Sequence, residues 1–410
     1  MKNNYYLDNA ATTMPKPESV YVFMDKFFRE HGVNPGRSSY QLSVETEAMI
    51  VQTRRMLGEF FGYRGDPSRV TFSMNATDSM NTALLGLVQP ADHIVITNLE
   101  HNAVLRPVNH LERDQNVEVT RIAADKNGYI DPSEIEQSIR PKTRAVVINH
   151  ASNVIGSLQD IRAIGHAVRE TNAVLILDAC QTAGVIPIEM DEWGIDILVY
   201  TGHKGLFGPS GVGGMIVSEE IDVRQVRTGG TGLNSLSPFH PDEYPDRLEA
   251  GTASIPGIAG LHAAQKWFSE LGVEKSNETN MSHQQASRIA VNHIHSKEIT
   301  HTQTLLEAFD AMPEVITYGP SFNQPRVSTL SINIGNLSAE QVGAMLDADH
   351  RICVRSGLHC APIIHKDLGT LERNGTVRFA PGFFTDKEDI NQAIEGVRSI
   401  VEYQNSRKLA

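Results

Sequence analysis

Cysteine is scarce: the 410 residues contain three, Cys180, Cys353 and Cys360, with no CxxC spacing among them. An odd, scattered set supplies neither a disulfide framework nor a zinc cage, so no metal site is expected and each thiol is judged singly. Long apolar runs are also missing. No stretch approaches the ~18 residues that a membrane helix needs, and the opening MKNNYYLDNAATT lacks the basic-then-apolar layout of a secretory signal. Positive charge is in deficit, Lys+Arg 36 against Asp+Glu 49 for a net −13. No Lys/Arg cluster offers a footprint for a phosphate backbone. Nucleic acid and acidic membranes are therefore excluded as partners, and a cytoplasmic protein is expected. Repeats and low-complexity segments are absent as well. What remains, 40% hydrophobic and 21% charged residues, describes a globular chain long enough for two packed subdomains.

Between about residues 70 and 217, short β-branched runs alternate with helical stretches: His93 to Thr97, Val117 to Thr120, Ala145 to Ile148, Val174 to Leu177, Ile195 to Val199 and Gly214 to Val217. Runs apolar on both faces and spaced for βα units predict an α/β fold with a mostly parallel, doubly wound sheet. Ligands of such a sheet sit at strand C-terminal ends. After Pro256 the pattern turns helical, from Ile258 to about Leu271 and from about Met281 to Ile294. Alternation with period two then returns over Val327 to Ile334 and Thr376 to Phe379, and Thr385-x-x-Glu388 predicts a capping box opening a last helix. We expect a large domain over residues 16–280 and a smaller α+β C-terminal domain over 281–410, joined by the N-terminal segment 1–15. The stretch Thr228 to Gly251, rich in Gly, Pro and Ser, reads as a long loop.

Three features carry chemistry. Tyr200-Thr-Gly-His-Lys204-Gly follows a buried strand, placing a lysine in a glycine-dense turn. A desolvated lysine there can act as a Schiff-base nucleophile, whereas most lysines in turns are simply solvated. Leu175-Ile-Leu-Asp178-Ala-Cys-Gln181 ends another apolar strand in a carboxylate. Such a group needs a partner, an Arg, a helix end or the cationic ring nitrogen of pyridoxal phosphate. Ser73-Met-Asn-Ala76-Thr77-Asp78 lies between a strand and a helix, as an N-cap or a phosphate seat does. Lys204 and Asp178 together favour the cofactor.

These residues resemble the class V aminotransferase-like, fold-type I pyridoxal-phosphate enzymes, and within them the cysteine desulfurases and selenocysteine lyases. The likeness runs through Leu7-Asp-Asn-Ala-Ala-Thr-Thr13, Asn34-Pro-Gly-Arg-Ser-Ser39, Glu100-His101-Asn-Ala, Ser152-Asn153-Val-Ile-Gly156, Asp178-x-x-Gln181, Thr201-Gly-His-Lys204, Gly251-Thr252, Arg355-Ser-Gly-Leu-His-Cys360 and Val377-Arg378. It implies that Lys204 carries pyridoxal 5'-phosphate and moves the Cα proton, that Asp178 pairs the ring nitrogen, and that His101 stacks on the ring as an acid/base. It places Gln181 and Asn153 at the phenolic oxygen and Ala76, Thr77, Thr201 and His203 at the phosphate. Thr252 is expected to reach the phosphate of a second subunit, making a homodimer. Arg378 would clamp the substrate carboxylate, with Arg355, Asn153, Ala10 and Ala11 nearby.

Cys360 names the reaction. The resemblance implies that it takes sulfur from L-cysteine as a persulfide, releases L-alanine and passes the sulfur on, to an acceptor protein or a reductant. L-Selenocysteine is the related substrate. Alternatives are a lyase of selenocysteine or substituted cysteine, or another class V aminotransferase, with Cys360 a bystander. Cys180 and Cys353, beside apolar runs, are expected to be small buried hydrophobes. Thr201 stands where many relatives carry Ser and Leu358 where short-loop relatives carry His, and Ala361 to Gly375 departs from the pattern.

Overall fold

A computed structural model describes residues 4–35, 40–232 and 235–409. Residues 36–39 of the Asn34 to Ser39 motif, and Leu233 and Asn234 of the long loop, lie outside the described residues. The central sheet has seven strands in the spatial order Val70–Ser73, Gly213–Val217, Ile197–Thr201, Val174–Asp178, Thr143–Asn149, His93–Thr97 and Glu118–Ile122. All run the same way except Gly213–Val217, which is antiparallel to both neighbours. The apolar runs of the sequence are buried, with alternate side chains feeding opposite faces, except at the sheet edge, where Glu118–Ile122 is largely exposed or half-buried because only one strand covers it. Leu175 and Leu177 enter one core and Val174 and Ile176 the other.

A second sheet of four antiparallel strands, ordered Arg355–Gly357, Thr376–Phe379, Leu330–Ile334 and Val315–Tyr318, has its own core. Tyr5 and Leu7 belong to that core, and Tyr5–Tyr6 pairs in parallel with Ile352–Cys353. The N-terminal segment therefore starts in the second unit and crosses to the first. One helix, His283–Asp310, serves both. Ala290, Val291 and Ile294 pack in the first core, while Leu305, Leu306 and Phe309 pack in the third.

Element types follow the sequence more closely than their ends do. The first long helix runs Ile255–Ser276, closed by Asn277 in the left-handed region at φ 60°. The second begins at a capping box of Ser282 and Gln285 and continues far past Ile294. Of Val327 to Ile334, only Leu330–Ile334 is strand; it is buried on both faces, and Ser331 Oγ donates to the Val154 carbonyl at 2.6 Å. The last helix is capped one residue later than expected. Asp386 accepts from the backbone of Glu388 and Asp389, and Asp389 accepts from Asp386 N, whereas Thr385 Oγ1 accepts from Gly382 N. The shorter Asp side chain closes the same reciprocal box. Residues 228–251 form no regular element among those described, and among the described residues no helix is long and apolar enough to cross a membrane.

Candidate active site

The C-terminal ends of the parallel strands open into a cavity of about 210 Å³ at the boundary with the second unit. Lys204 enters it from the turn after Ile197–Thr201. That turn needs glycine, because a Cβ on Gly205 would stand 2.5 Å from the Ala183 carbonyl. The peptide preceding Lys204 is held firmly. The His203 carbonyl accepts from Thr13 N at 3.1 Å, Thr12 Oγ1 at 3.0 Å and Lys16 Nζ at 3.1 Å, and the Lys204 carbonyl accepts from Thr13 Oγ1 at 3.0 Å. Burial above all, then Arg378 and Arg355, hold the Lys204 ammonium below its ordinary range, against Cys180 and Asp178. A lysine easily stripped of its proton is a nucleophile.

Asp178 closes the Val174–Asp178 strand, 5% exposed, with Oδ1 accepting from Cys180 N at 3.0 Å. His101 is the N-cap of Asn102–Gln115, its Nδ1 accepting from Ala103 N at 3.0 Å. That bond assigns the proton to Nε2. Burial pushes its pKa down to about 4, so the ring is neutral over the physiological range. Ala76 and Thr77 are the first residues of Ala76–Leu87, capped by Asn75, and their backbone N–H groups belong to the free first turn of a helix. Gln181 Nε2 donates to the Ala10 carbonyl at 3.1 Å.

Several polar atoms around the cavity are buried without a hydrogen-bond partner: Thr201 Oγ1, His203 Nδ1, Asn153 Oδ1 and Arg378 Nε. Buried polar groups cost free energy unless they are satisfied, so this set suits a polar ligand. Helix-terminal N–H groups with a hydroxyl and an imidazole match a phosphate, a carboxylate matches a ring cation, and a desolvated lysine matches an aldehyde.

Cys360 stands just beyond. Its Sγ lies 3.6 Å from Arg355 Nη2, and it lines an adjoining groove of about 470 Å³ that shares Thr77, His101 and Ala103 with the cavity. His359 and Cys360 both adopt left-handed backbone, φ 48° and 60°. Tertiary bonds hold this conformation: Asn153 Nδ2 donates to the His359 carbonyl at 2.6 Å, Asn102 N to the Cys360 carbonyl at 2.7 Å, and His359 Nε2 lies 3.0 Å from Thr376 Oγ1.

The tertiary structure brings to one cavity Ala10, Ala11, Ala76, Thr77, His101, Asn153, Asp178, Gln181, Thr201, His203, Lys204, Arg355 and Arg378. Thr252 is not among them and is exposed. Cys180 is not the buried core residue expected from its apolar surroundings; it is half-buried and lines the cavity, because the strand ends at Asp178 and the chain turns there. Cys353 is likewise only half-buried. The sequence reading missed Asp8, whose Oδ1 lies 2.8 Å from Arg378 Nη2, and the lining residues Asn75 and Asn149. An acidic residue directly after a short apolar strand was the available signal for Asp8.

The profile of the aminotransferase class-V family matches residues 5–288 and 284–393. A protein of Methanothermobacter thermautotrophicus described as a probable cysteine desulfurase is 29% identical over 98% of this chain and 95% of its own. The cysteine desulfurase IscS of Dictyoglomus turgidum is 28% identical over 98% of this chain and 95% of its own. The apo structure of a cysteine desulfurase from Thermococcus onnurineus superposes with a TM-score of 0.86 at 28% identity, covering 97% of this chain and 95% of that one. The mostly parallel sheet, the lysine and aspartate at its strand ends and the family match over nearly the whole length agree: this chain belongs to the aminotransferase class-V family, whose members generally depend on pyridoxal phosphate.

Proposed function

We propose that the protein is a pyridoxal-phosphate-dependent cysteine desulfurase that releases L-alanine from L-cysteine and leaves a persulfide on Cys360. The observation that carries this reading is the Cys360 thiol beside the Arg355 guanidinium, at the mouth of a cavity that also holds Lys204 and Asp178. The unsatisfied polar atoms of the cavity fit the cofactor: Ala76, Thr77, Thr201 and His203 would hold the phosphate, Asp178 the ring nitrogen, Gln181 and Asn153 the phenolic oxygen, and Lys204 the aldehyde carbon. When bound, the cofactor supplies an electron sink next to the substrate's Cα.

The chain's own residues do the rest. Arg378 binds the substrate carboxylate, Lys204 takes the Cα proton at Nζ, and neutral His101 offers its Nε2 proton within the same cavity. The Cys360 thiolate attacks the substrate sulfur. An S–S bond forms as the C–S bond breaks, and the electron pair passes to the carbon skeleton, which takes up protons and leaves as alanine. The persulfide then gives its sulfur to a reductant or an acceptor protein, for which the groove lined by Leu85, Arg106, Pro107 and His110 offers an approach.

The same proposal includes a large domain over 16–280, a small one over 281–410 linked by segment 1–15, and a homodimer in which the exposed Thr252 meets the partner's phosphate site. The setting is the cytoplasm. The test is release of sulfide and alanine from L-cysteine by the holoenzyme with a thiol reductant, for the native chain and Cys360→Ala, with L-selenocysteine in parallel. Equal sulfide and alanine, lost in Cys360→Ala, supports the reading. Undiminished turnover in Cys360→Ala overturns the persulfide step and favours selenocysteine or a substituted cysteine as substrate.

A further inference from the structure

Arg378 is 1% exposed, and two of its three guanidinium nitrogens are taken. Nη1 donates to the Asn153 carbonyl at 2.9 Å and Nη2 to Asp8 Oδ1 at 2.8 Å, while Nε is buried with no partner. Nη2 has a second hydrogen. With the far edge of the fork held by Asp8 and Asn153, the Nε–Nη2 edge is left to a carboxylate, which it matches with two parallel bonds.

The register of the second sheet sharpens the role of Asp8. Arg355 and Arg378 stand directly opposite each other on antiparallel strands, so two cations share one face, a pairing that is unfavourable unless an anion offsets it. The Asp8 carboxylate is that anion, and its place is fixed by the backbone. Asp8 bridges to Ala380, the Tyr6 hydroxyl donates to the Asp8 carbonyl at 3.2 Å, and Asn9 Nδ2 donates to the Ala380 carbonyl at 2.9 Å. The two residues beyond Asn9, Ala10 and Ala11, line the cavity. An aspartate from the far end of the chain is thus tethered behind the arginine while its neighbours face the ligand.

We infer that Asp8 is a positioning residue for substrate recognition: it orients Arg378 so that the Nε–Nη2 edge receives the α-carboxylate of the amino acid. The inference rests on the proposed function only in taking the substrate to be an α-amino acid. Its effect falls on binding of the carboxylate and not on chemistry at sulfur.

The experiment titrates the holoenzyme with L-alanine and with ethylamine, the same skeleton without the carboxylate, following the visible absorbance of the cofactor. Asp8→Asn is expected to weaken L-alanine about tenfold while ethylamine is unchanged, as the ion pair that orients Arg378 is reduced to a weaker contact with a neutral amide oxygen. Asp8→Glu, which keeps the charge, is expected to bind L-alanine more tightly than Asp8→Asn. With L-cysteine, KM rises in Asp8→Asn and kcat changes little. Unchanged L-alanine binding in Asp8→Asn, or equal weakening of both ligands in both variants, overturns the inference; the second result assigns Asp8 to folding of the N-terminal strand. A native enzyme that binds L-alanine but releases no sulfide removes the desulfurase reading and leaves this one standing.

Discussion

Arg355 Nη2 lies 3.6 Å from Cys360 Sγ, across a tight turn in which both His359 and Cys360 take left-handed backbone. A guanidinium in that place stabilises negative charge on the sulfur as it attacks. Arg355→Met is therefore expected to slow sulfide release and the alkylation of Cys360 by iodoacetamide, each about tenfold, one charge-assisted hydrogen bond being removed. Arg355→Lys should recover part of the alkylation rate. An alkylation rate unchanged in Arg355→Met sinks this pairing.

His101 serves two purposes that can be separated. Its Nδ1 caps Asn102–Gln115, and its ring lines the cavity. Asn is a good N-cap and Ala is not, so His101→Asn should keep native stability while His101→Ala loses about 1 kcal/mol. Both should lose most of the turnover. With the pKa at about 4, no inflection near pH 6.5 from this residue is expected in the pH–rate profile, and its protonation should cost activity only on the far acid side. Rescue of turnover in His101→Asn assigns His101 to capping alone.

Two buried carboxyl groups contribute to the dependence of stability on pH. Glu100 Oε1 accepts from Thr97 Oγ1 at 2.8 Å while Oε2 is unpartnered, and Glu298 accepts from Ser328 Oγ at 3.0 Å. Burial pushes both pKa values up to about 8. The unfolded chain ionises these groups near pH ~4.3. Between that value and about 8 each of these groups holds its proton in the folded state and not in the unfolded one, so the stability they contribute falls as pH rises through this window. The slope is at most about 1.4 kcal/mol per pH unit for each group. Glu298→Gln keeps an acceptor for Ser328 and cannot ionise. Urea unfolding at pH 5 and pH 8 should show a smaller loss for it than for the native chain, and an equal loss refutes the assignment.

Thr252 is exposed, and so are Leu236 at 99% and Phe239 at 82%, thirteen or more residues before it in the chain. Large apolar side chains left in water mark contact surfaces. Sedimentation is expected to give twice the 45.1 kDa chain mass. Leu236→Ser with Phe239→Ser should shift the protein toward monomer and loosen cofactor retention, as Thr252→Ala should loosen retention alone. A monomeric native protein that holds its cofactor tightly contradicts the shared site.

The sequence by itself determined the sheet and most of the cavity. Strand runs such as His93–Thr97 and Val174–Asp178 are apolar on both faces, and only a sheet covered by helices on both sides can bury them, which puts ligands at the strand ends where Asp178 and Lys204 stand. The resemblance to the class V aminotransferase-like enzymes carried Thr77, His101 and Arg378 to the same place. Tertiary structure alone decided three matters. It placed Asp8 behind Arg378, a contact between residues 370 positions apart that no local pattern encodes. It turned Cys180 from a core residue into a lining one, since exposure at a strand end depends on what packs over it. It also set Cys360 beside Arg355 in a left-handed turn, a strained backbone for these side chains that bonds from Asn102 and Asn153 hold in place.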